Sequence, residues 1–79
     1  MATVRYFAAA AEAAGTASES VPAGTLGELL DAVSGERPDE FARVLGRCSV
    51  LIDGVRSSEA DTPVAAGATV DVLPPFAGG

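Results

Sequence analysis

The residues best suited to chemistry lie at the end of the sequence, which reads Pro74-Pro75-Phe76-Ala77-Gly78-Gly79. Two consecutive prolines cannot continue a central β-strand, and they favour a stiff, extended backbone that leads away from a folded body. The three residues after Phe76 carry almost no side chain, and glycine allows a close approach to the backbone. We therefore predict a narrow tail that can be threaded into a partner's closed active site.

The carboxylate of Gly79 is the one group of this tail that could react. A free carboxylate is a poor acyl donor, but adenylation by ATP would convert it into an acyl-phosphate anhydride, from which a sulfur or amine nucleophile could displace AMP. The carrier would need no catalytic side chain for this, which agrees with a chain without histidine. Two terminal glycines alone would be a weak signal because chain ends often fray. Directly after a strand and two prolines, they indicate a functional tail.

Length and composition bound the remaining possibilities. With 79 residues, the chain is one small domain with a thin core, which favours a carrier, subunit or binding module over a self-contained enzyme. A net charge of −6 argues against nucleic-acid binding. Because the chain has one cysteine and no histidine, we expect neither an intramolecular disulfide nor a His/Cys metal site. This composition suits a reducing cytoplasm. No signal peptide or membrane span is expected.

Local patterns predict the order of the structural elements. Thr25 and Glu28 have the spacing of a helix capping box, and Asp53-Gly54 is a hairpin-turn signal. Residues 57–66 look like a loop. The predicted elements are a strand at 3–7, a short helix at 8–14, an edge strand at 16–21, a helix from Thr25, a helical segment from Pro38, a hairpin at 49–56 and a strand at 69–73.

These elements predict an α+β fold: a mixed sheet of about five strands with one main helix packed on one face, and the first and last strands paired in its middle. We expect residues 1–73 to form the folded body and residues 74–79 the tail. Cys48 should end an apolar helix stripe as a small packing residue. The expected core residues are Val4, Phe7, Leu26, Leu29, Leu30, Val33, Phe41, Val44, Leu45, Val50, Ile52, Val70 and Val72.

At this point the chain resembles the MoaD family, the small subunit of molybdopterin synthase, within the MoaD/ThiS superfamily of sulfur carriers. The resemblance covers nearly the whole chain. It is carried by Val4-Arg5-Tyr6-Phe7-Ala8 with Glu12 and Gly15, by the helix at 25–33, and above all by the Pro-Pro-x-x-Gly-Gly ending. It implies a β-grasp, ubiquitin-like fold.

The resemblance also implies a reaction cycle. A MoeB-type enzyme would use ATP to adenylate Gly79, and a sulfur donor would convert the adenylate to a thiocarboxylate. The charged carrier would then dock on a MoaE-type large subunit and give its sulfur to cyclic pyranopterin monophosphate. The chain would not be an enzyme on its own, because the catalytic side chains, including a lysine, would come from the large subunit. Gly78, Ala77, Phe76 and Pro75 would thread the tail and contact the partner, with no bound metal or cofactor.

Three alternatives remain open. The first is a sulfur carrier for thiamine or cysteine biosynthesis, although thiamine carriers are typically shorter and lack the Pro-Pro pair. The second is a protein modifier, in which Gly79 forms an isopeptide bond with a lysine. The third is a non-covalent binding domain that uses an exposed sheet face.

Overall fold

A computed structural model describes residues 1–35 and 37–75 of the chain. Five strands form one sheet in the order β2-β1-β7-β4-β5, and β3 pairs with β6 in a separate two-stranded ladder. The elements in chain order are β1 (Ala2–Tyr6), α1 (Ala9–Ala14), β2 (Ser18–Val21), β3 (Gly24–Thr25), α2 (Leu26–Ser34), α3 (Asp39–Leu45), β4 (Ser49–Ile52), β5 (Val55–Ser57), β6 (Pro63–Val64) and β7 (Thr69–Leu73). The predicted α+β class and its mixed five-stranded sheet are confirmed.

The first and last strands pair in the middle of the sheet, as predicted. β1 and β7 run parallel, with Val4 opposite Val70 and Tyr6 opposite Val72, and the other side of β7 pairs antiparallel with β4. Val4, Val70 and Val72 have no exposed surface. Both neighbours of β7 are therefore hydrogen-bonded strands, and the last strand is held along its whole length.

Helix α2 covers the inner face of this sheet. The capping box at its start is formed: Glu28 N donates to Thr25 Oγ1 (3.2 Å), and Thr25 N donates to Glu28 Oε1 (2.9 Å). Leu26, Leu29 and Val33 lie on the buried side of the helix and join the core. The amphipathic spacing read from the sequence therefore describes how this helix packs.

The hairpin between β4 and β5 also forms as predicted. Asp53 and Gly54 both have positive φ, 48° and 84°, which is the requirement of a type I′ turn. This turn matches the twist of its flanking strands, and it fixes Val50 opposite Ser57 and Ile52 opposite Val55.

The prediction of a core position for Phe7 is wrong. Alternate residues of β1 point inward, so Ala2, Val4 and Tyr6 are buried, whereas Phe7 has the opposite parity and remains 39% exposed. Four of the other expected core residues, Leu30, Val44, Leu45 and Ile52, are only partly buried. The core residues absent from the predicted set are Ala2, Tyr6, Ala10, Val21, Val64 and Ala68.

The segment 57–66 is more ordered than the predicted loop. Pro63 and Val64 pair with Thr25 and Gly24, and Val64 is buried. Leu26 N donates to Thr62 O (2.9 Å) and Gly27 N to Ala60 O (2.8 Å), so carbonyls of this segment accept from the first amides of α2. A two-residue strand has too few positions to show a period of two, and its pairing was therefore not visible in the sequence.

A polar cluster joins β1, β2 and all three helices at one end of the core. Arg37 Nη1 forms an ion pair with Glu19 Oε2 (2.8 Å) and donates to Val33 O (2.6 Å), while Arg37 Nε donates to Ala14 O (3.2 Å). The Tyr6 hydroxyl donates to the same Glu19 oxygen. Partial burial opposes ionisation of Glu19, but hydrogen bonds from Arg37 and Tyr6 outweigh it and lower the pKa of that carboxyl.

The same guanidinium also covers aromatic rings. It lies 5.0 Å from the ring centre of Phe41 and 5.7 Å from that of Tyr6, and these two rings meet edge to face at 5.8 Å. Arg37 therefore combines one ion pair, two backbone hydrogen bonds and two cation–π contacts in a half-buried position.

We predict that Arg37→Met lowers the free energy of unfolding by about 1–3 kcal/mol, because it removes the cationic partner of Glu19 and the side-chain donor to two backbone carbonyls. Urea denaturation at pH 7 would measure the loss. Arg43→Met is the matched control: the Arg43–Glu40 pair is exposed, with 65% and 67% of the side chains accessible, so its loss should cost less than about 0.5 kcal/mol. Equal effects of the two substitutions would contradict the role assigned to Arg37.

Candidate functional site

Strand β7 delivers the chain to the predicted tail. Its last residue, Leu73, lies opposite Ser49 of β4, and Phe7 N, just after β1, donates to Val72 O (3.1 Å). Pro74 follows directly and is half-buried, and Pro75 is exposed. Because strands pair with β7 on both sides, the sheet fixes the position of the chain where it enters Pro74.

The remaining predicted site residues, Phe76, Ala77, Gly78 and Gly79, lie outside the described residues. Their roles, and the division into a body ending at residue 73 and a tail, stay predictions. Of the predicted set only Pro75 can be located, and its exposure is compatible with contact to a partner.

A shallow cleft of about 180 Å³ borders the base of the tail. It is lined by Pro74 and Pro75 after β7, by Ala9 of α1, by Val44 of α3 and by Arg47. Ala9 reaches this position because the backbone turns sharply at Ala8, whose φ of 50° is unusual for a residue other than glycine. The cleft therefore joins the tail base to the start of α1 and the end of α3.

Among residues 1–35 and 37–75, no helix packs against the outer face of the sheet, which carries a mixture of apolar and paired charged groups. Arg5 donates from Nε (2.6 Å) and Nη2 (2.8 Å) to the two carboxylate oxygens of Asp71 on the neighbouring strand. These hydrogen bonds lower the pKa of Asp71. The Arg5 guanidinium also lies 5.7 Å from the ring centre of Phe7, and Leu51 is the β4 partner of Asp71. We call the surface of Phe7, Arg5, Asp71, Leu51 and Leu73 the open face.

The sequence analysis considered an exposed sheet face, but it identified neither the residues of the open face nor the tail-base cleft. The alternation of β1 could have assigned Phe7 to the face opposite Val4 and Tyr6. The Arg5–Asp71 pair joins residues 66 positions apart, and it required the parallel register to be known. Arg47 lies beside Pro74 and Pro75 because β4 pairs with β7, and this pairing also had to be known.

Cys48 has the packing role that was expected, although α3 ends before it. The thiol is half-buried, and Sγ donates to Val44 O (3.2 Å). Burial raises the pKa of this thiol, which keeps it protonated and poorly nucleophilic near neutral pH. Within residues 1–35 and 37–75, no group of three or more His, Cys, Asp or Glu side chains is placed to hold a metal ion. In the same ranges no helix has the length and apolarity needed to span a bilayer.

A mixed sheet with parallel central strands and a helix across one face, together with the likeness to solved structures given below, defines a ubiquitin-like protein of the β-grasp class. The ThiS family model matches residues 4–79, so the chain belongs to the ThiS family, in the MoaD/ThiS superfamily. The fold and the superfamily that the sequence resemblance implied are both confirmed. The chain is thus a small protein of the ubiquitin-like sulfur-carrier type.

Solved structures of similar proteins span essentially the whole chain. SAMP1 from Haloferax volcanii is 30% identical, with a TM-score of 0.78 over 99% of this chain and 98% of that one. A chain in the complex of subunits 1 and 2 of molybdopterin-converting factor from Helicobacter pylori is 26% identical, with a TM-score of 0.73 over 99% and 97%. The solution structure of small archaeal modifier protein 1 from Methanosarcina acetivorans, at 21% identity and a TM-score of 0.83, supports the fold alone. No curated protein matches the chain.

We predict that Cys48→Ser leaves charging, the conversion of the Gly79 carboxylate to a thiocarboxylate, unchanged. The substitution should lower the free energy of unfolding by only about 1 kcal/mol, because the thiol serves as a packing group. Alkylation by iodoacetamide at pH 7, followed by mass spectrometry, provides a second check on the native chain. The reaction should be slower than with glutathione and should accelerate when urea unfolds the protein. Fast alkylation of the folded chain, or lost charging in the serine variant, would contradict this interpretation.

Proposed function

We propose that the chain carries sulfur as a thiocarboxylate on Gly79 and donates it to cyclic pyranopterin monophosphate, as the small subunit of a molybdopterin synthase. The observation that carries the proposal is the ThiS-family match over residues 4–79, a range that includes the Pro-Pro-Phe-Ala-Gly-Gly ending. In this sequence the ending follows within one residue of a central strand, so the body can hold one end of the tail rigidly while a partner binds the other.

The chemistry has two steps at the same carboxyl group, the first at its oxygen and the second at its carbon. A carboxylate oxygen of Gly79 attacks the α-phosphorus of ATP and releases pyrophosphate, giving the acyl-adenylate. A sulfur nucleophile at the oxidation state of sulfide then attacks the acyl carbon. The bond from this carbon to the AMP oxygen breaks, AMP leaves, and a thiocarboxylate remains. ATP is consumed by an adenylating partner, and the carrier itself holds no cofactor. Gly78 lets the tail pass a narrow channel because it has no Cβ.

The choice of acceptor rests on the Pro-Pro-x-x-Gly-Gly ending and on the likeness to the Helicobacter pylori converting-factor complex. By analogy with a two-subunit factor, a MoaE-type large subunit would receive the tail and supply the catalytic side chains, including a lysine. The competing hypothesis is a sulfur carrier for thiamine biosynthesis, in which the chemistry at Gly79 is identical and only the sulfur acceptor differs. Deleting the gene separates the two: lost molybdoenzyme activity supports the proposal, and thiamine or cysteine auxotrophy contradicts it.

A second candidate function is protein modification. The observation that favours it is the 30% identity to SAMP1, described for Haloferax volcanii as a small archaeal modifier protein. The same adenylate would then react with a lysine amine and give an isopeptide. All five basic side chains here are arginine, so this chain offers no lysine for modification of itself. Adducts of higher mass that survive thiol reductant would support this function.

Intact mass spectrometry tests the proposed charging step. The chain is incubated with ATP, a sulfide source and the adenylating enzyme encoded in the same genome. We expect a mass gain equal to the replacement of one oxygen by sulfur, and no gain in a variant that lacks Gly79. An unchanged mass of the full chain, with an enzyme shown to be active on another carrier, would contradict the proposal.

Gly78→Leu should reduce charging at least about 100-fold while leaving the fold intact, because a bulky side chain would block passage of the tail through a narrow channel. Circular dichroism and the thermal midpoint provide the control, and both should match the unmodified chain. Ala77→Ser, a small-for-small change one position earlier, should retain most of the activity. A parallel loss of charging and of secondary structure would indicate a structural role for the tail.

A further inference from the structure

Arg47 differs from three other arginines of the chain in its surroundings. Arg5, Arg37 and Arg43 each form an ion pair, with Asp71, Glu19 and Glu40 respectively. Arg47 is exposed, and among residues 1–35 and 37–75 no acidic group lies within ion-pair distance of it. It nevertheless lines the cleft at the base of the tail, beside Pro74 and Pro75.

Backbone geometry fixes this position. After α3, Gly46 N donates to Ala42 O (3.0 Å), and Arg47 N donates to Val44 O (3.0 Å), so the chain continues in tight turns into β4. Antiparallel pairing sets Ser49 opposite Leu73. Arg47 lies two residues before Ser49 and Pro75 two residues after Leu73, and the two consequently meet at the same end of the sheet.

The length of the tail limits which part of a partner enzyme can lie next to Arg47. Four residues follow Pro75 in the sequence, and they span at most about 14 Å when fully extended. An enzyme that acts on Gly79 must therefore bring its reaction centre within about 14 Å of Pro75. The surface around its channel entrance then has to approach the body at the residues that surround the tail base, and Arg47 is one of them.

The charges around Arg47 indicate which kind of side chain lies at the entrance of the partner's channel. The chain has a net charge of −6, so most of its surface repels acidic groups. The tail-base cleft is otherwise formed by apolar side chains, Ala9, Val44 and the two prolines. A single exposed cation in an apolar rim is complementary to a single acidic side chain on an otherwise apolar partner surface, and such a pair fixes orientation and speeds encounter.

We propose that Arg47 is an electrostatic docking residue for the adenylating partner, where it pairs with a carboxylate at the entrance of the channel that receives the tail. The inference rests on the proposed function, because it requires Gly79 to be the activated group. It commits to the adenylating partner because adenylation precedes both uses of the tail considered above, sulfur transfer and protein modification.

Titration calorimetry with the adenylating enzyme from the same genome tests this proposal. Arg47→Glu should weaken binding of the intact chain about 10-fold or more, and the difference should shrink as salt is raised from 50 to 500 mM. Arg47→Lys should keep binding within about 3-fold, because it preserves the charge. Arg43→Glu makes the same change of net charge on the exposed side of α3, outside the cleft, and should change binding by less than about 2-fold.

The outcomes separate this inference from the function on which it rests. Binding of Arg47→Glu within 2-fold of the unmodified chain, or equal losses for Arg47→Glu and Arg43→Glu, would overturn the role of Arg47 while leaving the charging of Gly79 intact. An unmodified chain that neither binds the enzyme nor gains sulfur would overturn the proposed function and this inference together. Thermal midpoints should differ only slightly among the variants, since both arginines are exposed and the Arg43–Glu40 pair contributes little.

Discussion

The parallel pairing of β1 with β7 is the interaction on which the rest of the structure depends. It joins the two ends of the sequence in the centre of the sheet, with Val4 beside Val70 and Tyr6 beside Val72. The valines of these two strands are fully buried under α2. Because the last strand is central, Pro74 directly follows a strand that is paired on both sides rather than one at the margin of the sheet. The same pairing creates the open face and aligns Arg5 with Asp71.

This arrangement separates stability from chemistry. The body is a small core closed by α2 and by the Arg37 cluster, and Gly79, the residue proposed to react, follows it in the sequence. Family membership in ThiS and likeness to both a converting-factor complex and an archaeal modifier protein are consistent with one carrier body used for different acceptors. On this account the tail carries the reaction, and the surfaces around its base select the partner.

Much of the fold could be predicted from short-range signals. The capping box of Thr25 and Glu28, the Asp53-Gly54 turn and the alternation of Val70 and Val72 each reflect interactions within a few residues, and all three are realised. Phe7 was wrongly assigned to the core because its hydrophobicity was given more weight than the strand period of two residues. That period places Phe7 and Tyr6 on opposite faces of the sheet.

Long-range features could not be predicted in the same way. The β3–β6 ladder, the Arg37 cluster and the tail-base cleft all join segments distant in sequence, so they follow only once the strand order is known. Of the candidate site, the tail was predicted from its composition and stays a prediction, whereas the cleft beside Pro74 and Pro75 was not predicted. The family resemblance supplied the expected fold and chemistry but no contact of the tail base, because those contacts depend on side chains particular to this sequence.

The central claim, that the folded body presents Gly79 for activation, is tested most directly by ATP–pyrophosphate exchange with the adenylating enzyme from the same genome. The account predicts exchange with the full chain, none with a chain that lacks Gly79, and at least about 100-fold less with an isolated peptide of residues 74–79, since the peptide lacks the docking body. Exchange supported by the chain without Gly79 would contradict the claim that this residue is activated. Equal exchange with the peptide would show that the body plays no part in presenting it.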